Sequence, residues 1–120
     1  MIQNKNSKTY DLEDRTLAFA RQAGIYVDKL PHTVSNQEYG KQLVRSSASI
    51  GANYIEANES LSKKDFLMRI KISRKEAKET CYWLQLIVPA VVLAQEREVL
   101  LKEATELMKI FGAILEKSKN

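Results

Sequence analysis

Residues 39–61, YGKQLVRSSASIGANYIEANESL, decide the fold. Tyr39, Leu43, Ser47, Ile50, Tyr54, Ala57 and Leu61 recur at three- and four-residue steps, the spacing of one stripe along an α-helix. Beside them runs a second stripe of small or apolar residues: Gly40, Val44, Ala48, Gly51 and Ile55. Only a narrow polar strip remains, formed by Glu38, Lys41, Arg45, Ser49, Glu56 and Glu59. A helix on the surface of a bundle needs a single apolar face. This one is expected to be covered on two sides, most simply by the rest of the chain and by another copy of the protein. The small residues Ser46, Ser47, Ala48, Ser49, Gly51 and Ala52 let a neighbouring backbone come close. Upstream, Ser35-Asn36-Gln37-Glu38 has the form of a capping box, so this helix is predicted from Ser35 to about Ser60.

Three further helices follow from the same periodicity. The first is predicted from Asp11 to Leu30, with Asp11, Glu13 and Asp14 at its positive N-terminal end and Pro31 stopping it. Leu12, Thr16, Phe19, Ala20, Ala23, Tyr26, Val27 and Leu30 form its inner face. The third helix starts after Ser62, with Asp65 three residues on. It carries Phe66, Ile70, Ser73, Ala77, Thr80, Leu84 and Ile87 on one side, and Pro89 should end or kink it. The fourth is predicted over Glu96 to Lys117, packed through Leu100, Leu101, Ala104, Leu107, Met108, Phe111, Ile114 and Leu115. Four helices joined by short loops imply an all-α fold, an up-down-up-down four-helix bundle that is oligomeric. Residues 1–10 read as a flexible polar arm and residues 11–117 as a single domain.

Composition agrees with helices and excludes several functions. The 120 residues include only four Gly and two Pro, too few for a turn-rich β-fold. One cysteine, Cys81, rules out an internal disulfide and reads as a small core residue; one histidine, His32, reads as an exposed loop residue. No phosphate-binding glycine loop, nucleophile motif or Glu-x-x-His pair is present, so neither an enzyme nor a cofactor is expected. The longest apolar run, Leu86 to Ala94, falls far short of the roughly 20 residues that span a bilayer. With a polar start and a lone thiol, the expected setting is cytoplasmic, without membrane contact.

Charge is less evenly spread than the net +4 suggests. Between Ser62 and Lys75 six basic residues face one acid, Asp65. Lys64, Lys71, Lys75 and Lys78 fall in one strip opposite the apolar stripe of the third helix, a pattern suited to contacting phosphates of RNA or DNA. Ile72 and Trp83, with Glu79, flank that strip and would suit a protein partner or another copy. The i,i+3 carboxylates Glu56/Glu59 and Glu76/Glu79 are expected to form ion pairs with Arg45, Arg69, Arg74 and Lys75 on neighbouring helices or subunits rather than to hold a metal. Asn53, at the margin of the packed stripe, must find hydrogen-bond partners.

The segment Leu43 to Ala57 (LVRSSASIGANYIEA), together with Ser62-Lys63-Lys64-Asp65-Phe66 and Lys75 to Leu84 (KEAKETCYWL), resembles the bacterial four-helix-bundle proteins encoded in 23S rRNA intervening sequences. The resemblance spans the chain beyond residue ten. It implies a bundle that assembles into a ring, commonly a homopentamer, similar to the nucleic-acid-binding accessory proteins of diversity-generating retroelements. It carries over no catalytic residue. By position it makes Arg45, Asn53, Glu56, Glu76 and Glu79 structural or intersubunit residues, to which the residue pattern adds Gly51, Ile55, Ile72 and Trp83. Two functions stand open at this point: non-specific nucleic-acid binding through the lysine strip, or a protein-binding scaffold without nucleic-acid contact.

Overall fold

The computed structural model describes residues 8–119. The fold is all-α, with four helices and no strand among the described residues: α1 Lys8–Asp28, α2 Val34–Asn58, α3 Lys63–Leu86 and α4 Ala94–Lys117, the last preceded by a 3₁₀ turn at Val91–Leu93. None of these helices is long and apolar enough to cross a membrane. α1 begins three residues before the predicted Asp11, so residues 8–10 of the expected arm are helical; residues 1–7 lie outside the described residues. It also ends at Asp28 rather than Leu30. The amides of Lys29 and Leu30 bond back to Tyr26 and Val27 at 3.1 Å, tightening the chain before Pro31.

The start of α2 corrects the capping-box expectation. Thr33, not Ser35, is the N-cap: its backbone is extended and its hydroxyl accepts the Asn36 N–H at 3.1 Å. The cause lies in Asn36, a buried polar residue whose side-chain amide donates to Pro31 O (3.1 Å) and Val88 O (3.3 Å). Those bonds tie together two loops at one end of the bundle and place Ser35 inside the first turn. α3 starts as expected, with the Ser62 hydroxyl accepting the Asp65 N–H at 3.1 Å. It stops at Leu86, three residues before Pro89, as the ring demands.

The core is filled by side chains from all four helices, among them Phe19, Tyr26, Leu43, Ile50, Tyr54, Ile70, Leu84, Leu107 and Phe111. Tyr54 and Phe111 meet across the interior with ring centroids 5.7 Å apart. One predicted core position differs, and one stripe divides. Leu61 is 99% exposed, because α2 has already ended. The second stripe of α2 splits: Gly40 and Gly51 are buried, whereas Val44, Ala48 and Ile55 are exposed. α1 covers both glycines. A Cβ on Gly40 would lie 3.0 Å from Val27 Cγ1, and one on Gly51 only 2.7 Å from Thr16 Oγ1.

Each seam has its own chemistry. Asn58 Nδ2 donates to Glu13 at the far end of the α1–α2 pair (2.8 Å). Hydroxyls line the α2–α3 seam: Ser46 and Thr80 meet at 2.8 Å, and Ser73 donates to Ile50 O at 2.9 Å, all buried. Small hydroxylated residues bring these two helices close without leaving a polar atom unmatched. α1 and α4 are tied at the surface by Arg15 to Glu103 (2.7 and 2.9 Å) and Glu106 (3.0 Å), and by Lys29 to Glu96 (3.0 Å). Hydrogen bonding to Glu103 outweighs burial and raises the Arg15 guanidinium well above its ordinary value.

Candidate nucleic-acid interface

The packing of α3 sorts its residues by direction. Ile70, Ser73, Ala77, Thr80 and Leu84 face inward and are buried. On the edge toward α2, Arg69, Glu76, Glu79 and Trp83 are engaged with α2 residues. Arg69 Nη1 donates to Asn53 Oδ1 (2.9 Å), while Asn53 Nδ2 donates to the Ser49 carbonyl and hydroxyl, both at 3.0 Å. Arg45 donates to Glu76 at 3.2 Å and also to Glu79. Glu79 in turn accepts the Trp83 indole N–H at 2.9 Å. Burial alone would lower the Arg45 guanidinium, but the two carboxylates together raise it above its ordinary value.

The outward face of α3 carries Lys64, Lys71, Lys75 and Lys78, all exposed. Among the described residues none of the four pairs with a carboxylate, whereas Glu76 and Glu79 are turned to Arg45. Two further residues occupy the same line. Lys64, Met68, Lys71, Lys75, Lys78 and Tyr82 follow one another at steps of four and three, which keeps them on one stripe. At 1.5 Å per residue that stripe is roughly 27 Å long. Met68 is 50% and Tyr82 57% exposed.

Met68 and Tyr82 were not singled out by the sequence pattern, and Trp83, expected on the flank of the strip, turns toward α2. Trp83 is half-buried, not outward: its ring stacks on Tyr39 of α2 (6.1 Å, 28°) and receives Tyr82 edge-on (5.2 Å, 71°). The phase was available, since Tyr82 lies four residues beyond Lys78 and seven beyond Lys75. Ile72 is half-buried. Glu56 is exposed and, like Glu59, forms no ion pair within the chain among the described residues; Arg74 reaches over Gly112 of α4, its Nε 3.7 Å from the position of a Cβ there. Gly51 faces Thr16 within the chain, and Ile55 is 48% exposed. Cys81 is half-buried in the α3–α4 seam, its Sγ 3.7 Å from Thr105 Oγ1, and His32 is exposed.

Other parts of the surface gather less chemistry. Among the described residues no three His, Cys, Asp or Glu side chains converge to hold a metal ion. A groove of about 260 Å³ between α1 and α4 is lined by Phe19, Val99 and Leu100, and its rim residues Arg15 and Glu103 bond each other.

A family model described as the 23S rRNA-intervening sequence protein matches residues 9–113, a span that includes all of α2 and α3. The chain belongs to that family. A crystal structure of a protein of unknown function from the S23 ribosomal protein family of Bacteroides thetaiotaomicron is similar to it, with 32% identity and a TM-score of 0.73. That likeness covers 92% of this chain and 99% of the other. No curated protein matches the chain. In this member of the 23S rRNA-intervening sequence family, the two segments that carried the resemblance, 43–57 and 75–84, face each other across the α2–α3 seam. Arg45, Ser46 and Ile50 from the first bond Glu76, Glu79, Thr80 and Ser73 at or beside the second.

Proposed function

We propose that the chain is the subunit of a non-enzymatic homo-oligomer, an up-down-up-down bundle assembled into a ring such as a pentamer, that binds nucleic acid through phosphates. The observation that carries the binding is the outer face of α3: four exposed lysines on one line, none neutralised by a carboxylate among the described residues. Repeated around a ring, such faces add their fields. Assembly is supported by Val44, Ala48 and Ile55, which remain exposed on α2 after α1 has covered its glycines. The scaffold alternative is less favoured, because its anchor, Trp83, packs against Tyr39 within the chain.

Mobility shift and salt titration test the binding. With about four phosphates neutralised per subunit, log K should fall with log salt at a slope near −3 for single strands or somewhat steeper for duplex. Reversing Lys64, Lys71, Lys75 and Lys78 to Glu should abolish the shift. No shift of any probe at low salt would refute the reading. Light scattering tests assembly separately: a monomeric mass would refute the oligomer.

A further inference from the structure

Met68 and Tyr82 do not fit a face that merely solvates itself. Lysines alone would give a duplex-tolerant phosphate contact, yet the line is interrupted by a thioether and ends on an aromatic ring, each at least half exposed. Tyr82 is also held. Its ring meets Trp83 edge-on at 5.2 Å, Trp83 stacks on Tyr39 at 6.1 Å, and the indole N–H is fixed to Glu79 at 2.9 Å. The Tyr82 platform therefore needs little ordering when something stacks on it.

We infer that the outer face of α3 takes single-stranded nucleic acid, its phosphates along Lys71, Lys75 and Lys78 and an unpaired base stacked on Tyr82. The inference rests on the phosphate-binding reading above and adds the class of strand. A duplex hides its base faces inside the stack and offers Tyr82 nothing; a single strand presents them to any exposed ring, whatever the sequence. Lys78 stands one turn before Tyr82, so a strand whose phosphate meets Lys78 has its neighbouring base within reach of the ring. Met68, one turn before Lys71, supplies a soft apolar contact for a second base. Phosphate contact and stacking are both indifferent to the sugar, so RNA and DNA strands are both admitted.

The test uses the whole chain with labelled short single-stranded RNA, single-stranded DNA of the same sequence, and the corresponding blunt duplex, followed by anisotropy. The chain should prefer single strands. Tyr82→Ala should weaken single-strand binding roughly 5- to 100-fold while leaving the salt slope and the duplex affinity unchanged; Tyr82→Phe should retain it. Loss on either the RNA or the DNA arm supports the inference. Binding should also change the emission of the single tryptophan, Trp83, through its contact with Tyr82, and Tyr82→Ala should remove that change. If Tyr82→Ala leaves single-strand affinity intact while Lys71→Glu with Lys75→Glu destroys it, stacking is overturned and phosphate binding stands. If no probe binds the unaltered chain, both fall together. Equal weakening of duplex and single strand by Tyr82→Ala also overturns the inference.

Discussion

Replacing Gly51 with Ala and replacing Gly24 with Ala should move stability in opposite directions, although both glycines sit inside helices. In each case the helix gains from losing glycine, about 1 kcal/mol. At Gly24 a new Cβ meets nothing within 4 Å, so Gly24→Ala should keep that gain. At Gly51 the Cβ would lie 2.7 Å from Thr16 Oγ1 and 3.0 Å from Thr16 Cβ. Thr16 has little room to yield. It is 1% exposed, and its hydroxyl is bonded to the carbonyls of Leu12 (3.0 Å) and Glu13 (3.1 Å). Overpacking of this kind costs about 1–3 kcal/mol, so Gly51→Ala should end up neutral to roughly 2 kcal/mol less stable than the parent. The two variants should differ by that full overpacking cost. Urea denaturation followed by far-UV circular dichroism, at one fixed protein concentration, measures the difference. In a Thr16→Ala background the shortest contact is gone, and Gly51→Ala should recover about 1 kcal/mol or more of its loss. If Gly51→Ala stabilises the protein as much as Gly24→Ala does, the close approach of α1 to α2 at Thr16 is wrong.

Three further outcomes follow from the geometry. Thr33→Ala should cost about 1 kcal/mol by removing the α2 cap, whereas Ser35→Ala should stay within about 0.5 kcal/mol; the reverse order in denaturant melts would restore the capping box. Burial, with smaller contributions from Glu96 and Glu98, outweighs Arg97 and pushes the Tyr26 phenol up to about 12 from 10.0, so the folded protein keeps a proton that the unfolded chain has released. Stability from this group is full below pH 10 and declines as pH rises from 10 toward 12; Tyr26→Phe should flatten that decline in melts across the range. The Tyr26 hydroxyl is buried without a partner among the described residues, so Tyr26→Phe should also be neutral or up to about 1 kcal/mol more stable at pH 7; a marked loss would mean that the hydroxyl is satisfied. Ser62→Ala should weaken α3 by about 1 kcal/mol, read as a lower denaturation midpoint, and an unchanged midpoint would remove Ser62 from the cap.

How much of this was legible depended on whether the deciding interaction was local. The inner faces of all four helices could be read because burial repeats with the helical period, and Ser62 could be read because a cap is decided by its own next three residues. Thr33 could not. The choice between it and Ser35 is made by Asn36 reaching Val88, 52 residues away. The two apolar stripes of α2 were visible as stripes, but only the packing of α1 shows that Gly40 and Gly51 lie inside the chain while Val44 and Ile55 stay outside. On α3 the lysine strip was plain, yet Tyr82 and Trp83 are adjacent and one step of the wheel decides which points outward. The ring attracted to Tyr39 turned in. Its neighbour was left in line with the lysines.

The placement of Arg45 makes α3 electrically lopsided about its own axis. Two of its acids, Glu76 and Glu79, lie on one flank and share a single guanidinium from another helix; Lys64, Lys71, Lys75 and Lys78 stand free on the outward face beside them. A helix is about 10 Å across, comparable with the screening distance of about 8 Å in physiological salt. The carboxylates and the lysines are thus near enough to sense each other when the medium is dilute. Removing Arg45 would take away one positive charge, leave Glu76 and Glu79 without their guanidinium beside the four lysines, and weaken the attraction of the outer face without touching it. A residue on the neighbouring helix thereby tunes the voltage of the surface that a strand would meet, and its influence fades as salt is added.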